Sequence, residues 1–320
     1  MNKHRYRVLF SKTLQRFIVT SELAKTTTAG NTERGDLKCG ESSVCFSFYP
    51  SLQSLTFAVF CALGFVSLIS PSAYAETLMI QADSTAAANQ RPVVLQTANG
   101  LPQVNIQTPN DQGLSHNRYS YFDVDTQGAI LNNSRKNTQT QQGGWIQGNP
   151  YLAGGEAKVI LNEVNSNHPS QLKGYVEVAG RKADVIIANP NGIHCQGCGI
   201  MNAERATFTT GKPEIHHGSL DSFKVEKGKV TVEGKGLDNS QTDYTDIISR
   251  SAEINAGIWS KREVNVTTGK NRVTKNNDSV QIIHTTEKEK QSENPPHFAL
   301  DVTHLGGMYA EKIHLIGTEQ

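Results

Sequence analysis

Cys195-Gln196-Gly197-Cys198 is the spacing in this chain with the most chemistry in it. A CxxC pair can be a redox dithiol, half of a zinc site, or a short structural disulfide. The redox reading wants a strand running into a helix, and this pair sits among glycines in a β-rich stretch. The zinc reading wants four ligands. His194 is adjacent and His216-His217 lie further on, but no second CxxC follows. The spacing therefore favours a structural disulfide, with the zinc and redox readings still open. His116, His168, His297, His304 and His314 form no HExxH or similar pairing. Asp123 and Asp125 have the spacing of calcium ligands, yet no EF-hand loop follows them. There is no GxSxG, no phosphate loop and no paired-carboxylate signature. A serine–histidine–aspartate set has no marker either. The sequence points to no catalytic residue, no metal and no cofactor.

The elements that must carry these residues read as all-β. Apolar residues recur as period-two pairs: Val159/Leu161, Val176/Val178, Val185/Ile187, Val230/Val232, Val264/Val266, Val280/Ile282, Leu300/Val302 and Ile313/Leu315. That spacing puts both members of a pair on one face of a strand. Turn formers separate them, among them Ala179-Gly180, Asn189-Pro190-Asn191-Gly192, Glu226-Lys227-Gly228 and Thr268-Gly269. Asp246–Ile258 comes nearest to a helical period and still reads as strand. Short strands with such turns fit a sandwich, a barrel or a β-solenoid. Aliphatic inward residues and Asn-rich corners lean towards the solenoid. Residues 270–296, which run through alternating charges into Pro295-Pro296, read as an exposed loop with one strand near Val280–Thr285. The formal net charge of +1 gives no sign of a nucleic-acid partner.

The first 75 residues read as a removed export signal. Leu55–Ile69 is uncharged but short of the ~20 apolar residues a membrane span needs. It leads into Ala73-Tyr74-Ala75, whose small residues suit signal peptidase, with cleavage before Glu76. Cys39, Cys45 and Cys61 would leave with it, so Cys195 and Cys198 alone remain in an oxidising compartment. The leader is unusually long. Its strings MNKHRYRV and VTSELAK resemble the extended signal peptide region of Gram-negative autotransporters and two-partner secretion exoproteins. That resemblance implies Sec export across the inner membrane.

Further on stand Asn117-Arg118-Tyr119-Ser120-Tyr121-Phe122-Asp123-Val124, Gly128-Ala129-Ile130-Leu131-Asn132-Asn133-Ser134, Asn149-Pro150-Tyr151-Leu152, Val185-Ile186-Ile187-Ala188-Asn189-Pro190-Asn191-Gly192-Ile193 and Arg205-Ala206-Thr207-Phe208-Thr209-Thr210-Gly211. With these strings, residues 76–320 resemble the amino-terminal secretion domain of filamentous-haemagglutinin-type exoproteins. That family includes adhesins, haemolysins and contact-dependent inhibition toxins. The resemblance implies a right-handed parallel β-helix over about 131–320, with small extra-helical β elements. It also implies an amino-terminal β-cap near 77–130. The partner it implies is an outer-membrane transporter, whose POTRA domains meet the unfolded chain in the periplasm and whose β-barrel passes it to the surface. The family motif NPNL stands here as Asn149-Pro150-Tyr151-Leu152, with Tyr151 in place of the second Asn. NPNGI is complete at Asn189–Ile193. These turns either hold coils in register or are read by the transporter, which could also pair with open strand edges of the first coils. Two other readings compete. One is a truncated surface adhesin that binds host or neighbouring bacterial cells. The other is a β-helical polysaccharide lyase, which lacks the clustered acidic calcium ligands it would need.

Overall fold

Aliphatic alternation and turn chemistry decide where strands start and stop. All eight period-two pairs lie in strands, and Asp246–Ile258 divides into Tyr244–Ser249, Ser251–Ile254 and the start of Gly257–Ser260. The computed structural model describes residues 6–11, 16–21, 79–283, 299–303 and 306–318. The chain forms two units, residues 1–73 and 74–320. In the first, Tyr6–Ser11 pairs antiparallel with Arg16–Ser21. Ala73, Ala75, Glu76, the apolar run 55–69 and residues 284–296 of the expected loop lie outside the described residues. Among those described there is no α-helix, nor any helix long and apolar enough to cross a membrane.

In the second unit, parallel strands stack into three faces. One face runs Leu114–Phe122, Val159–Val164, Asp184–Ala188, Arg205–Thr209, Tyr244–Ser249, Glu263–Thr268 and Lys312–Gly317. The next runs Ser170–Leu172, Ile193–Cys195, Lys229–Val232, Ser251–Ile254 and Leu300–Val302. The third holds Ala129–Asn133, Tyr175–Gly180 and Gly199–Met201, and continues through a Cys198–Leu237 bridge to Leu237–Asn239, Gly257–Ser260 and Gly307–Tyr309. The chain visits the faces in turn and returns one strand further along, which is a parallel β-helix. Register puts like on like in the core: Val185, Ala206, Thr245 and Val264 form one row, and Ile187, Phe208, Ile247 and Val266 the next.

Parallel stacking starts earlier than the boundary near residue 131 expected from sequence. Leu114–Phe122 pairs in parallel with Val159–Val164, and Ala129–Asn133 with Tyr175–Gly180. The cap strands proper are Ile80–Ala82, Val93–Gln96 and Pro102–Asn105. The cause lies in the first coil. Ser115 and Asn117 take inward positions that aliphatic residues take elsewhere, so the alternating signal is missing there. Both are fully buried. Ser115 Oγ donates to the Gln107 carbonyl, and Asn117 Oδ1 accepts from the Gln107 amide at 2.8 Å. Polar side chains thus satisfy the backbone that plugs the end of the core, where a bare N–H would be costly.

A second sheet lies outside the helix. Lys212–His216, Ser219–Lys224, Asn271–Thr274 and Val280–Ile282 run antiparallel in that order. It covers outward apolar residues of the first face. Val159, Leu161, Ile186 and Ile248 pack with Leu220, Phe223 and Val273 in a separate buried cluster. Residues 270–283 are therefore structured. Asn271 is buried and its strand belongs to this sheet, which corrects the reading of that stretch as a loop with one strand.

Candidate functional site

Asn189-Pro190-Asn191-Gly192-Ile193 turns the corner from the first face to the second. Proline fixes φ and removes a donor, so the chain leaves the strand at once. Asn189 then closes the turn with its side chain: Oδ1 accepts from the Asn191 amide at 3.0 Å. Its Nδ2 reaches the preceding coil, donating to the His168 carbonyl at 2.9 Å and to Ser170 Oγ at 3.0 Å. The backbone carbonyl of Asn189 accepts from Gly192 at 3.0 Å. Gly192 has φ of +118°, and a Cβ there would sit 3.0 Å from the Lys229 carbonyl, so the position needs glycine. Asn191 donates back to the Ser166 carbonyl and accepts from Lys227 Nζ at 2.8 Å. Asn189 is fully buried, as is Ile193.

Asn149-Pro150-Tyr151-Leu152 repeats that chemistry on another coil. Asn149 caps a one-turn 3-10 helix, Pro150–Leu152, and its Oδ1 accepts from the Tyr151 amide at 3.0 Å. Its Nδ2 donates to the carbonyls of Ile106 at 2.9 Å and Asn132 at 3.0 Å. The cap and the first coil are thereby tied to one amide. Asn149 is 3% exposed and Leu152 is fully buried, while Pro150 is exposed and Tyr151 half-buried. No hydrogen bond joins the two motifs among the described residues.

Cys195 and Cys198 form a disulfide, with Cα atoms 5.3 Å apart, at the corner between the second and third faces. Both are buried in the main core. His194, His216 and His217 take no part in a metal cluster, and no group of three candidate ligands exists among the described residues. Asp123 accepts from the Gln171 amide at 2.8 Å, so it serves the coil stack. The surface beside Pro190 is basic: Lys212, Lys224 and Lys227 line a hollow of about 320 Å³ with Glu226. Lys224 holds the Glu226 carboxyl below its usual range through a 2.9 Å contact.

These arrangements position backbone and do no bond chemistry. Sequence reading missed other asparagines with the same task. Asn133 links the Ala157 amide and carbonyl to the Arg181 carbonyl, and Asn239 accepts from the Ile200 amide at 2.7 Å. Their partners lie many residues away, so no local spacing marks them. The open edge expected on the first coils is covered at two faces: Ile80–Ala82 pairs with Leu114–Phe122, and Pro102–Asn105 with Ala129–Asn133.

Comparison with known proteins gives a consistent family. The TPS secretion domain model matches residues 78–320, and the model for the extended signal peptide of type V secretion systems matches residues 1–48. The chain is 47% identical over 319 residues to Toxin CdiA of Yersinia pestis, covering all of this chain and 9% of that protein. It is 38% identical over 322 residues to tRNA nuclease CdiA-2 of Burkholderia pseudomallei strain 1026b, of which it spans 10%. Among solved structures, the filamentous hemagglutinin secretion domain superposes with a TM-score of 0.67 at 32% identity, over 75% of this chain and 79% of that one.

Proposed function

The chain belongs to the TPS secretion domain family, and from that premise we propose that its two Asn-Pro turns are read by the transporter while the chain is unfolded and then lock the coils once it is outside. A TPS domain is a secretion domain and not a catalytic one. It carries an exoprotein across the Gram-negative outer membrane to the cell surface, with a cognate outer-membrane transporter as partner. The finer steps belong to the proposal. Sec would move the chain to the periplasm and signal peptidase would cut after Ala75. The POTRA domains would then hold the extended chain ahead of passage through the β-barrel. The relatives are named toxins and tRNA nucleases, and the chain spans about a tenth of their length. We propose the same placement here, with this chain as the export portion of an exoprotein acting on neighbouring bacterial or host cells.

One observation carries the reading. The side-chain amides of Asn149 and Asn189 are buried, and every polar atom of both is bonded within the folded chain. A folded domain has none of these groups to offer a partner. An unfolded one offers all of them, together with strand segments able to pair by β-augmentation.

The test has two arms. Deleting the transporter gene should leave the chain in the periplasm; its continued appearance in the medium sinks the proposal. Asn149→Ala and Asn189→Ala should weaken capture of the urea-unfolded chain by isolated POTRA domains. Unchanged capture, with loss of folded stability alone, confines both turns to folding. The secreted chain should begin at Glu76, which amino-terminal sequencing reads directly.

A further inference from the structure

We propose that a groove on the third face of the β-helix, between Tyr175 and Trp259, binds an acidic polysaccharide. The groove is about 800 Å³ and crosses several coils, with Gln196, Lys235, Asp238 and Ser240 among the residues lining it. Register sets its geometry. Tyr175 pairs with Gly199, and Asp238 with Trp259, which pairs with Tyr309. The Tyr175 ring lies across Gly199, where a Cβ would come within 2.5 Å of Cε1, and its hydroxyl donates to Asp238 Oδ2 at 2.8 Å. Trp259 lies over Gly257 in the same way, where a Cβ would be 2.3 Å from the indole. Gly199 and Gly257 have ordinary φ values, so no turn requires glycine there. At Gly257 the missing side chain provides room for the indole, and at Gly199 it provides room for both the Asp238 carbonyl, 2.2 Å from where a Cβ would sit, and the Tyr175 ring.

Trp259 is then held on one side by Tyr309, stacked at 5.6 Å with 10° between planes. It is 37% exposed all the same, and it lines the groove. Rings fixed in this way offer flat apolar faces with little entropy left to lose, and hydroxyl and amide groups stand beside them. That pairing of ring faces with hydrogen-bonding groups suits a pyranose.

Charge narrows the class. Asp238 is occupied within the chain, since Oδ2 accepts from Tyr175 and Oδ1 from the Ser240 amide at 3.0 Å. Desolvation and Asp238 push the Tyr175 hydroxyl up to about 12, so it stays a donor. Lys173 and Lys235 line the same groove, and neither pairs with a carboxylate among the described residues. Two ammonium groups against the single carboxylate of Asp238 leave the lining net positive beside its aromatic faces, and this favours a sugar polymer that carries carboxylates. A domain delivered to the cell surface meets such polymers there. The inference goes beyond export and does not depend on it.

Affinity electrophoresis of the purified chain through gels containing hyaluronan, polygalacturonate or dextran tests this. We expect retardation by at least one acidic polymer and none by dextran. Trp259→Ala should weaken binding about tenfold, the scale of one aromatic contact. Lys173→Gln with Lys235→Gln should remove the binding that added salt removes in the parent. Trp145→Ala, a substitution outside the groove, should change nothing. Trp259→Phe keeps an aromatic ring and should retain most of the binding, which controls for misfolding in the alanine variant. Failure of both acidic polymers to retard the chain overturns the proposal. So does equal retardation by dextran, or unchanged binding in the Trp259 and lysine variants.

Discussion

At the scale of single residues, the molecule depends on side-chain amides that do the work of backbone. Asn189, itself fully buried, satisfies one amide of its own turn and two acceptors of the preceding coil. Asn189→Ala leaves the Asn191 N–H and the His168 carbonyl without those partners. A fully buried orphan costs about 1–3 kcal/mol and these two are only part-buried, so the variant should lose about 1–2 kcal/mol, read as a lower urea midpoint with an unchanged slope. Asn189→Asp is an informative companion. It keeps the acceptor for Asn191 but loses both donations to the previous coil, so it too should destabilise. A wild-type midpoint in the aspartate variant would show that the inter-coil bonds contribute nothing. The disulfide has a different effect. Cys195–Cys198 closes a loop of a few residues, and chain entropy for so short a loop gives about 2 kcal/mol. Cys195→Ser with Cys198→Ser should lower stability by that amount, and adding reductant to the double variant should lower it no further.

At the scale of elements, the extra-helical sheet is a buttress laid on outward aliphatic residues of the first face. Its centre is Phe223, fully buried against that face and unable to be replaced without a void. Phe223→Ala should cost about 3–5 kcal/mol in equilibrium unfolding. The rim of the same sheet is electrostatic. Arg272 reaches across the intervening strand Ser219–Lys224 to donate to Glu214 at 2.6 and 2.9 Å, and this holds the Glu214 carboxyl below its usual range. A carboxyl lowered by folding contributes stability above its unfolded value, near 4.5, and loses it as pH falls through the folded value. Asp246 has the opposite sign. Burial raises it in spite of Arg205 at 2.6 Å, so its contribution is present below the unfolded value and is lost as pH rises. Melting curves below pH 4.5 should therefore show a weaker acid loss in Glu214→Gln than in the parent. An identical acid slope in the two would mean that Arg272 and Glu214 contribute nothing measurable. This sheet also shows why its role was hidden in the sequence. Val159/Leu161 was legible as a one-faced strand pair, but alternation cannot say which face is inward. Ile160 fills the core while Val159 and Leu161 meet the buttress.

For the whole molecule, the stacked architecture was legible because a solenoid repeats one local rule. Aliphatic pairs such as Val185/Ile187 and Val264/Val266 mark coil after coil, and the Asn-Pro corners mark where it turns. What stayed hidden was long-range: the start of the stack at Leu114, the asparagine ties between coils, and the groove assembled from Tyr175 and Trp259. Each depends on register between segments far apart in sequence. The same stacking has a consequence at its far end. Among the described residues Lys312–Gly317 pairs on one side only, with Glu263–Thr268, and its Ile313, Leu315 and Ile316 are 44%, 53% and 40% exposed. Ile313 and Leu315 continue the inward rows of Val264 and Val266, so this strand offers a core row together with an unpaired parallel edge. Such an edge recruits another strand, whether the next coil or a second molecule. The isolated chain should therefore associate as its concentration rises, and sedimentation velocity reads this as a growing weight-average coefficient. Ile313→Lys with Leu315→Lys keeps the backbone edge but puts charge on the row that must be buried. It should hold the chain monomeric while leaving its far-ultraviolet circular dichroism unchanged. Association that persists in the lysine variant would place the contact elsewhere, and a parent chain that stays monomeric throughout would show that the exposed row is not adhesive.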